Sequence, residues 1–156
     1  MRIIIMGVSG CGKTAIGMEL SKTLAIPFYD GDDFHSEANK EKMSHGHPLT
    51  DEDRKPWLET LANLLKEKAP LILACSALKE SYRKALRVAP DVRFIYLKGS
   101  YELIEKRLKE RHGHFFDPHL LKSQFADLEE PQDACVVDID SPISDIVKKI
   151  INCSLS

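Results

Sequence analysis

The sequence predicts an α/β protein with a parallel β-sheet flanked by helices, and three observations support this fold class. Short apolar or β-branched runs recur along the chain, at residues 2–6, 27–29, 71–75, 93–97 and 135–137. These runs lack the polar alternation of a sheet with one wet face, so both faces should be covered. Helical patterns lie between the runs, and parallel strands require such crossover helices.

The predicted helices follow the strands in order. Ile16, Leu20 and Leu24 share one face of a helix that begins soon after the first strand. Further helical patterns cover residues 51–68, 79–88, 101–111, 118–127 and 143–151. Thr50 and Asp53 form an N-cap signature, and Pro56 suits a first turn, so the helix there is expected to start in two steps. The length of 156 residues predicts one domain over residues 1–156.

Composition and charge disfavour several classes of protein. A net charge of −2 provides no overall attraction for nucleic acid or an acidic membrane, so local Lys and Arg side chains must hold any anionic ligand. No apolar run approaches the ~20 residues that span a bilayer. The four cysteines (Cys11, Cys75, Cys135 and Cys153) form no CxxC pair, which predicts reduced thiols and a cytoplasmic location.

A phosphate-binding motif follows the first strand directly. The segment Gly7-Val8-Ser9-Gly10-Cys11-Gly12-Lys13-Thr14 matches G-x-x-x-x-G-K-[ST] between a predicted strand and helix. Its glycines let successive N–H groups point at phosphate oxygens, and the next helix adds its positive dipole end. Lys13 is expected to reach the β- and γ-phosphates of ATP, and Thr14 to ligate Mg²⁺. The alternative, a glycine-rich turn without a ligand, leaves the complete motif unexplained.

Two carboxylates follow the second predicted strand. Asp30 and Asp32 are two residues apart, so one can help to hold Mg²⁺ while the other accepts a proton from a hydroxyl group. A solvated acidic turn is the alternative. The strand at 71–75 ends without a Walker-B aspartate, so the predicted metal site consists of Thr14, Asp30 and Asp32 with water, and Ser76 is expected to hold a ligand water.

The sequence resembles the small P-loop gluconokinases over about residues 3–142. The resemblance rests on Asp30-Gly31-Asp32-Asp33-Phe34-His35, Asn39, Lys42, Met43, Gly46, Pro48-Leu49, Asp51-Glu52-Asp53-Arg54-Lys55-Pro56-Trp57, Cys75-Ser76-Ala77-Leu78-Lys79, Tyr82-Arg83, Phe94-Ile95-Tyr96-Leu97-Lys98-Gly99, Arg107-Leu108, Arg111, Gly113-His114-Phe115-Phe116 and Gln124-Phe125. It implies a P-loop NTPase of the nucleoside-monophosphate-kinase-like type, related to shikimate kinases, with a five-stranded parallel sheet. It also implies a substrate-binding region at about 35–68, a lid at about 112–119, and phosphorylation of D-gluconate at its terminal hydroxyl. A homodimer rests on the resemblance alone.

Basic side chains are the candidate partners of the substrate carboxylate. Arg54, Lys79 and Arg83 supply donors, and an Arg fork matches two oxygens. His35 and Lys42 complete the predicted substrate set. A solvated basic face is the alternative for each cation.

The resemblance places the nucleotide against the later helices. It implies that Arg107 stacks on adenine, that Arg111 contacts the phosphates as a catalytic residue, and that Ser141 and Pro142 line the adenine pocket. Charges that serve only the helix dipole are the alternative for both arginines. The H-x-H pairs, His45/His47 and His112/His114, lack a third ligand, so zinc is disfavoured. Trp57 is predicted to be a packing residue.

Two other functions remain open at this point. A kinase of the same fold could phosphorylate shikimate or a nucleotide, and a P-loop ATP-binding regulatory protein would have no acceptor at all. Asp32 with the basic cluster favours an acceptor. The Asn-Lys-x-Asp motif of GTPases is absent from the sequence.

Overall fold

The computed structural model describes residues 1–111 and 118–154 and contains a five-stranded sheet. The strands are β1 (Arg2–Met6), β2 (Phe28–Asp30), β3 (Leu71–Ala74), β4 (Val92–Lys98) and β5 (Cys135–Asp138). Their order is β2-β3-β1-β4-β5, and every neighbouring pair is parallel. The predicted parallel sheet is therefore confirmed.

Helices cover both faces of this sheet. They are α1 (Lys13–Leu24), α2 (Glu37–Ser44), α3 (Asp51–Glu67), α4 (Glu80–Leu86), α5 (Tyr101–Lys109), α6 (Pro118–Asp127) and α7 (Ile143–Ser154), with a 3-10 turn at Gly31–Phe34. None of the described helices is long and apolar enough to span a membrane.

The central strand explains how the core divides into two layers. Ile3 and Ile5 of β1 belong to one apolar cluster, together with residues of α1, α5 and α7. Ile4 and Met6 belong to a second cluster, which includes Trp57 and other residues of α3. All four β1 side chains are fully buried. A parallel strand with helices on both sides needs apolar residues at successive positions, which is why β1 shows no alternation.

Two features of the fold differ from the sequence-based expectation. Helix α2 and the 3-10 turn were not predicted, because only Asn39 of α2 is buried and the helix has no apolar stripe to detect. Helix α3 is continuous, so the expected two-step start at Pro56 is wrong. The Thr50–Asp53 capping box is confirmed. Pro56 lies on the exposed surface, where water can bond the carbonyl that loses its helical partner.

The cysteines also differ from expectation. Cys135 and Cys153 form a disulfide with Cα atoms 6.1 Å apart, so the prediction of reduced thiols is wrong for this pair. Cys11 and Cys75 are free and buried. The disulfide joins the beginning of β5 to the last turn of α7. Only the packing of that helix against its strand brings the two cysteines together, and the sequence spacing carries no such signal.

Candidate active site

The loop between β1 and α1 has the backbone shape that its glycines permit. Gly7, Gly10 and Gly12 have φ angles of 148°, 85° and 98°. A Cβ atom on Gly7 would lie 2.7 Å from Cys11 Sγ, and one on Gly10 would lie 2.8 Å from Leu108 Cγ. The loop thus requires glycine both for conformation and for close packing. Gly12 caps α1 without a side-chain hydrogen bond, so the first N–H groups of α1 have no side-chain acceptor.

Two side chains bond to this loop. Lys13 Nζ donates to the carbonyl oxygens of Gly7 and Val8, at 2.8 and 3.1 Å. The N–H of Ser9 donates to Gln124 Oε1 of α6, at 2.6 Å. The Lys13 ammonium group therefore lies at the loop, and α6 reaches the same loop from outside. Lysine and backbone N–H groups together form a cradle for an anion.

The end of β2 places two carboxylates beside α1. Thr14 Oγ1 donates to Asp30 Oδ2 at 3.0 Å, and the N–H of Asp32 donates to Asp30 Oδ1 at 3.0 Å. The second bond caps the 3-10 turn and fixes the position of Asp32. Thr14 and Asp30 are thus in direct contact, with Asp32 next to them. A hydroxyl and carboxylates are the oxygen ligands that Mg²⁺ prefers.

The described part of the chain gives no support for a metal site built from several protein ligands, such as a zinc site. No group of three or more His, Cys, Asp or Glu side chains comes together there in a metal-binding arrangement. His112 and His114, the second H-x-H pair, lie outside the described residues.

The Asp32 carboxyl group has a raised pKa. Protein surrounds much of this side chain even though its surface opens to solvent, and the resulting desolvation raises the pKa above 3.8. The Lys13 ammonium lowers the pKa, and the charges of Asp30 and Asp33 raise it again. A carboxylate with a raised pKa is a better proton acceptor than an ordinary one.

A cavity of about 260 Å³ joins the phosphate loop to α2, α3 and α6. Its lining residues are Ser9, Lys13, Asp32, His35, Met43, His47, Pro48, Leu49, Arg54, Trp57, Ser76, Leu78, Leu120, Ser123, Gln124 and Asp127. Lys13, Asp32, His35 and Arg54 were all predicted to bind the nucleotide or the substrate. The structure brings these four residues to one cavity.

His35 forms part of the cavity wall through a stacked pair. Its ring lies 4.1 Å from the Trp57 ring centroid, with the planes 15° apart. Trp57 Nε1 donates to the carbonyl of Gly31 at 2.7 Å, so the predicted packing role of Trp57 is confirmed. Burial, together with the charges of Arg54 and Lys40, lowers the pKa of His35 to about 4. The imidazole is therefore neutral and can bond a hydroxyl group.

Of the four cations predicted to bind the substrate, one lines the cavity and three do not. Arg54 lines it, and its Nη1 donates to the Tyr82 hydroxyl at 2.9 Å. Lys42 is paired with Asp53 at 2.6 Å, and Lys79 with Asp51 at 3.2 Å. Neither lysine lines the cavity, so the structure does not bring them to the predicted substrate site.

Arg83 is also absent from the cavity, which corrects its predicted role in substrate binding. Its side chain is 1% exposed and donates to the carbonyls of Ala77 (2.7 Å), Leu78 (3.1 Å) and Glu129 (2.8 Å). A buried guanidinium needs such acceptors, because leaving its donors unpaired would be costly. Arg83 therefore holds the loop after β3 against the segment after α6.

The residues predicted to bind adenine lie at the ends of α5 and β5. Arg107 Nη2 donates to the carbonyl of Ile139 at 2.9 Å, which places Arg107 beside the segment that leads to Ser141 and Pro142. Arg111 is exposed and follows the end of α5. The six residues after it and most of the predicted lid, 112–119, lie outside the described residues; only Pro118 and His119 are described, at the start of α6.

Sequence reasoning missed the contribution of α6 to the cavity. Leu120, Ser123, Gln124 and Asp127 all line it. Their spacing of three or four residues places them on one helix face, and this mixed polar pattern is the signal that could have identified them. The lining also includes Met43 of α2 and, from the connection between α2 and α3, His47, Pro48 and Leu49.

The fold and the site together define a P-loop phosphotransferase. Residues 9–153 match the family model described as shikimate kinase. A shikimate kinase from Aquifex aeolicus has the same fold, with a TM-score of 0.70 at 23% identity over 99% of this chain and 96% of its own.

More similar relatives identify the branch of this family. The thermoresistant gluconokinase of Escherichia coli K12 is 45% identical over 95% of this chain and 90% of its own length. A probable gluconokinase of Mus musculus is 41% identical over 96% and 95%. A gluconokinase structure from Sinorhizobium meliloti has a TM-score of 0.93 at 39% identity, covering 99% of this chain and 91% of its own. The chain belongs to the gluconokinases within the shikimate kinase family.

Proposed function

We propose that this kinase transfers the γ-phosphate of ATP to the terminal C6 hydroxyl of D-gluconate, giving 6-phosphogluconate and ADP. The observation that carries the proposal is the single cavity in which Lys13 and Asp32 lie with Arg54. It joins a phosphate-binding group, a proton acceptor and a cation for a carboxylate. Relatives named gluconokinases, 41–46% identical in sequence, support the choice of acceptor.

The phosphate loop binds the nucleotide and stabilises the charge that moves during transfer. The loop N–H groups bond phosphate oxygens, that of Ser9 after it leaves Gln124 Oε1, and the N-terminus of α1 adds its dipole. Lys13 leaves the carbonyls of Gly7 and Val8 for the stronger acceptors on the β- and γ-phosphates. Because these donors are held in place before the reaction, they cost little reorganisation in the transition state.

Asp32 orients the acceptor hydroxyl and takes its proton as the oxygen attacks phosphorus. Its raised pKa suits this task, and its fixed backbone position aligns the nucleophile. At the other side of the substrate, Arg54 bonds the carboxylate, while neutral His35 bonds a hydroxyl group of the polyol chain. The acid end and the reacting end of gluconate are then held by different residues.

Thr14, Asp30 and Asp32 would hold Mg²⁺. The hydroxyl and the carboxylates fit this ion in chemistry, and Thr14 and Asp30 are already in contact. When bound, the ion neutralises charge on the β- and γ-phosphate oxygens. Within this arrangement, Asp30 also keeps Asp32 in position through its backbone N–H.

The remaining assignments complete the proposal. Arg107, Ser141 and Pro142 bind adenine, and Arg111 contacts the phosphates, by resemblance to related kinases. A cytoplasmic location follows from the use of ATP and a free sugar acid. The homodimer that the resemblance implies is checked by light scattering of the purified protein.

Substrate analogues test the assignment of the two ends of gluconate. 6-Deoxygluconate lacks the accepting hydroxyl and should give no product. Glucitol lacks the carboxylate, so it should react with a KM raised roughly 100-fold, the size of a lost charge-assisted pair. Phosphorus NMR of the gluconate product should show a phosphate monoester at C6.

Arg54→Ala links this discrimination to one residue. The variant should raise the KM for gluconate, leave the KM for ATP unchanged, and no longer distinguish gluconate from glucitol. Lys55→Ala is the matched control, because Lys55 is the next cation along α3 and does not line the cavity. Product phosphorylated elsewhere than C6, or full discrimination by Arg54→Ala, would contradict the proposal.

A further inference from the structure

The position of Arg54 depends on the hydroxyl group of Tyr82. Arg54 Nη1 donates to that oxygen at 2.9 Å. The Tyr82 hydroxyl in turn donates to Asp51 Oδ1, which also accepts from Lys79 Nζ at 3.2 Å. The Tyr82 side chain is buried, and the Arg54 guanidinium lies 5.3 Å from the ring centroid. Arg54 and Asp51 thus share the Tyr82 hydroxyl as a hydrogen-bond partner and form only a long ion pair with each other.

The ion pair between Arg54 and Asp51 is a long one. The distance from Arg54 Nη1 to Asp51 Oδ1 is 3.9 Å, too long for a hydrogen bond. Residues three apart on a helix can form a direct ion pair, and an Arg–carboxylate pair is a strong one. The Tyr82 oxygen bonds both groups and forms a triangle with the two charged atoms, so it restrains Arg54 by its hydrogen bond. Without it, the guanidinium could move toward Asp51, which is exposed and lies outside the cavity lining.

The directions of the bonds fit this role. A tyrosine hydroxyl can donate one hydrogen bond, and the Asp51 carboxylate accepts it. The lone pairs of the oxygen are then left for Arg54, whose fork offers five N–H donors. One of these donors is used by Tyr82, so the others remain for an anion in the cavity.

We propose that Tyr82 is a positioning residue for the acceptor carboxylate: its hydroxyl holds Arg54 in the cavity wall and keeps the Arg54–Asp51 ion pair from closing to hydrogen-bond distance. This inference rests on the proposed function of Arg54. Tyr82 does not line the cavity, so it acts on the substrate only through Arg54. Lys79 takes part from the other side by bonding Asp51, which gives this predicted substrate residue an indirect role.

Tyr82→Phe tests the inference because it removes the hydroxyl and keeps the buried ring. The KM for gluconate should rise about 10-fold, the effect of one hydrogen bond to a charged group. The KM for ATP, the kcat at saturation and the KM for glucitol, which has no carboxylate, should stay within about twofold of the wild type. In an Arg54→Ala background, Tyr82→Phe should have no further effect on the gluconate KM, because the two residues act as one unit.

Tyr96→Phe is the matched control. Tyr96 is also buried, and the charge of Glu130 acts on its hydroxyl, but it does not line the cavity. This variant should leave the gluconate KM unchanged. Purely structural damage in Tyr82→Phe would instead change the kinetic constants for gluconate, glucitol and ATP together.

The outcomes separate this inference from the function on which it rests. If Arg54→Ala raises the gluconate KM and Tyr82→Phe does not, the positioning role is overturned while the proposed function stands. Additive effects of Arg54→Ala and Tyr82→Phe would also overturn it. If the wild-type protein has no activity with gluconate, both the proposed function and the inference fail.

Discussion

Thr14 and Asp30 are joined by a 3.0 Å hydrogen bond, from the hydroxyl at the start of α1 to the carboxylate at the end of β2. The bond links the phosphate loop to the residues that face the acceptor. It also uses one Asp30 oxygen, while the other accepts from the backbone of Asp32. A change at Asp30 should therefore affect metal binding and the position of the proposed base together.

Asp30→Asn should raise the Mg²⁺ concentration needed for half-maximal activity. The amide is neutral, so it weakens the electrostatic attraction for the ion, yet its oxygen can still accept the bond from Asp32. Added Mg²⁺ should then restore part of the lost kcat. A Mg²⁺ titration at saturating ATP and gluconate measures this effect.

Asp33→Asn is the control for that titration, since it removes an equal charge from an exposed neighbour that does not line the cavity. Its Mg²⁺ dependence should match the wild type. If Asp30→Asn and Asp33→Asn gave the same titration curve, general charge and not a local contact would explain the effect of Asp30.

Asp32→Asn should lower kcat by roughly 10²- to 10⁴-fold while both substrates still bind. The amide keeps the size of the side chain but cannot accept the hydroxyl proton. Unlike Asp30→Asn, this variant should not be rescued by added Mg²⁺. The measurement is kcat together with the Kd of each substrate, and a kcat within threefold of the parent would remove Asp32 from the reaction.

The pH dependence of the wild type provides a second test of Asp32. Desolvation raises its pKa above 3.8, so the proton-accepting form is lost as pH falls through a value higher than that of an ordinary aspartate. The kcat should decline with acidification in that range. The small residual activity of Asp32→Asn should lack this step, and an identical pH profile in both proteins would argue against a base at this position.

His35 predicts a dependence of stability on pH. Its pKa is lowered from 6.5 to about 4 in the fold, so between these values the unfolded chain binds more protons than the folded one. The contribution of neutral His35 is complete above pH 6.5 and is lost as pH falls toward 4. At most about 3 kcal/mol of unfolding free energy depends on this group, since one pKa unit corresponds to ~1.4 kcal/mol.

Urea denaturation at several pH values measures that loss. Between pH 6.5 and 4, His35→Gln should lose less stability than the wild type, and His45→Gln, at an exposed histidine that ends α2, should behave like the wild type. Equal slopes in the wild type and His35→Gln would show that this ring is not held neutral by burial.

The sequence was informative where local pattern and function coincide. The phosphate loop could be predicted because the residues that the motif requires, Gly7, Gly12, Lys13 and Thr14, lie close together in the chain. The strands could be predicted because burial on both faces makes β1 apolar at successive positions. Helix α6 kept its predicted bounds, with Pro118 at its start.

The features that the sequence did not predict depend on contacts between residues that are far apart in the chain. From the sequence, Arg83 and Arg54 are both expected to be exposed cations on helices. In the fold, Arg83 donates to three carbonyl oxygens, whereas Arg54 lines the cavity. Asp127 carries no motif, and only the placement of α6 beside the phosphate loop makes it part of the site. The Cys135–Cys153 disulfide likewise depends on the packing of α7 against β5.

The disulfide predicts the number of reactive thiols. Protein purified without reductant and unfolded in guanidinium should show two free thiols per chain, from Cys11 and Cys75, and four after reduction. Closing a loop between cysteines 18 positions apart in the sequence typically contributes roughly 3 kcal/mol, so Cys153→Ser should unfold at lower denaturant concentration. Four free thiols before reduction would show that the bond does not form.

Gluconate-dependent release of ADP tests the central claim most directly. The purified protein, with ATP and Mg²⁺, should release ADP with gluconate at least 100-fold faster than with shikimate or a nucleoside 5′-monophosphate at equal concentration. Shikimate has only ring hydroxyls to place at Asp32, and the nucleotide has no carboxylate for Arg54. Lys13→Ala, which removes the ammonium group at the phosphate loop, should reduce that rate by ~10²-fold or more while the fold persists. An equal or greater rate with shikimate or a nucleotide, or no acceptor-dependent release at all, would contradict the account.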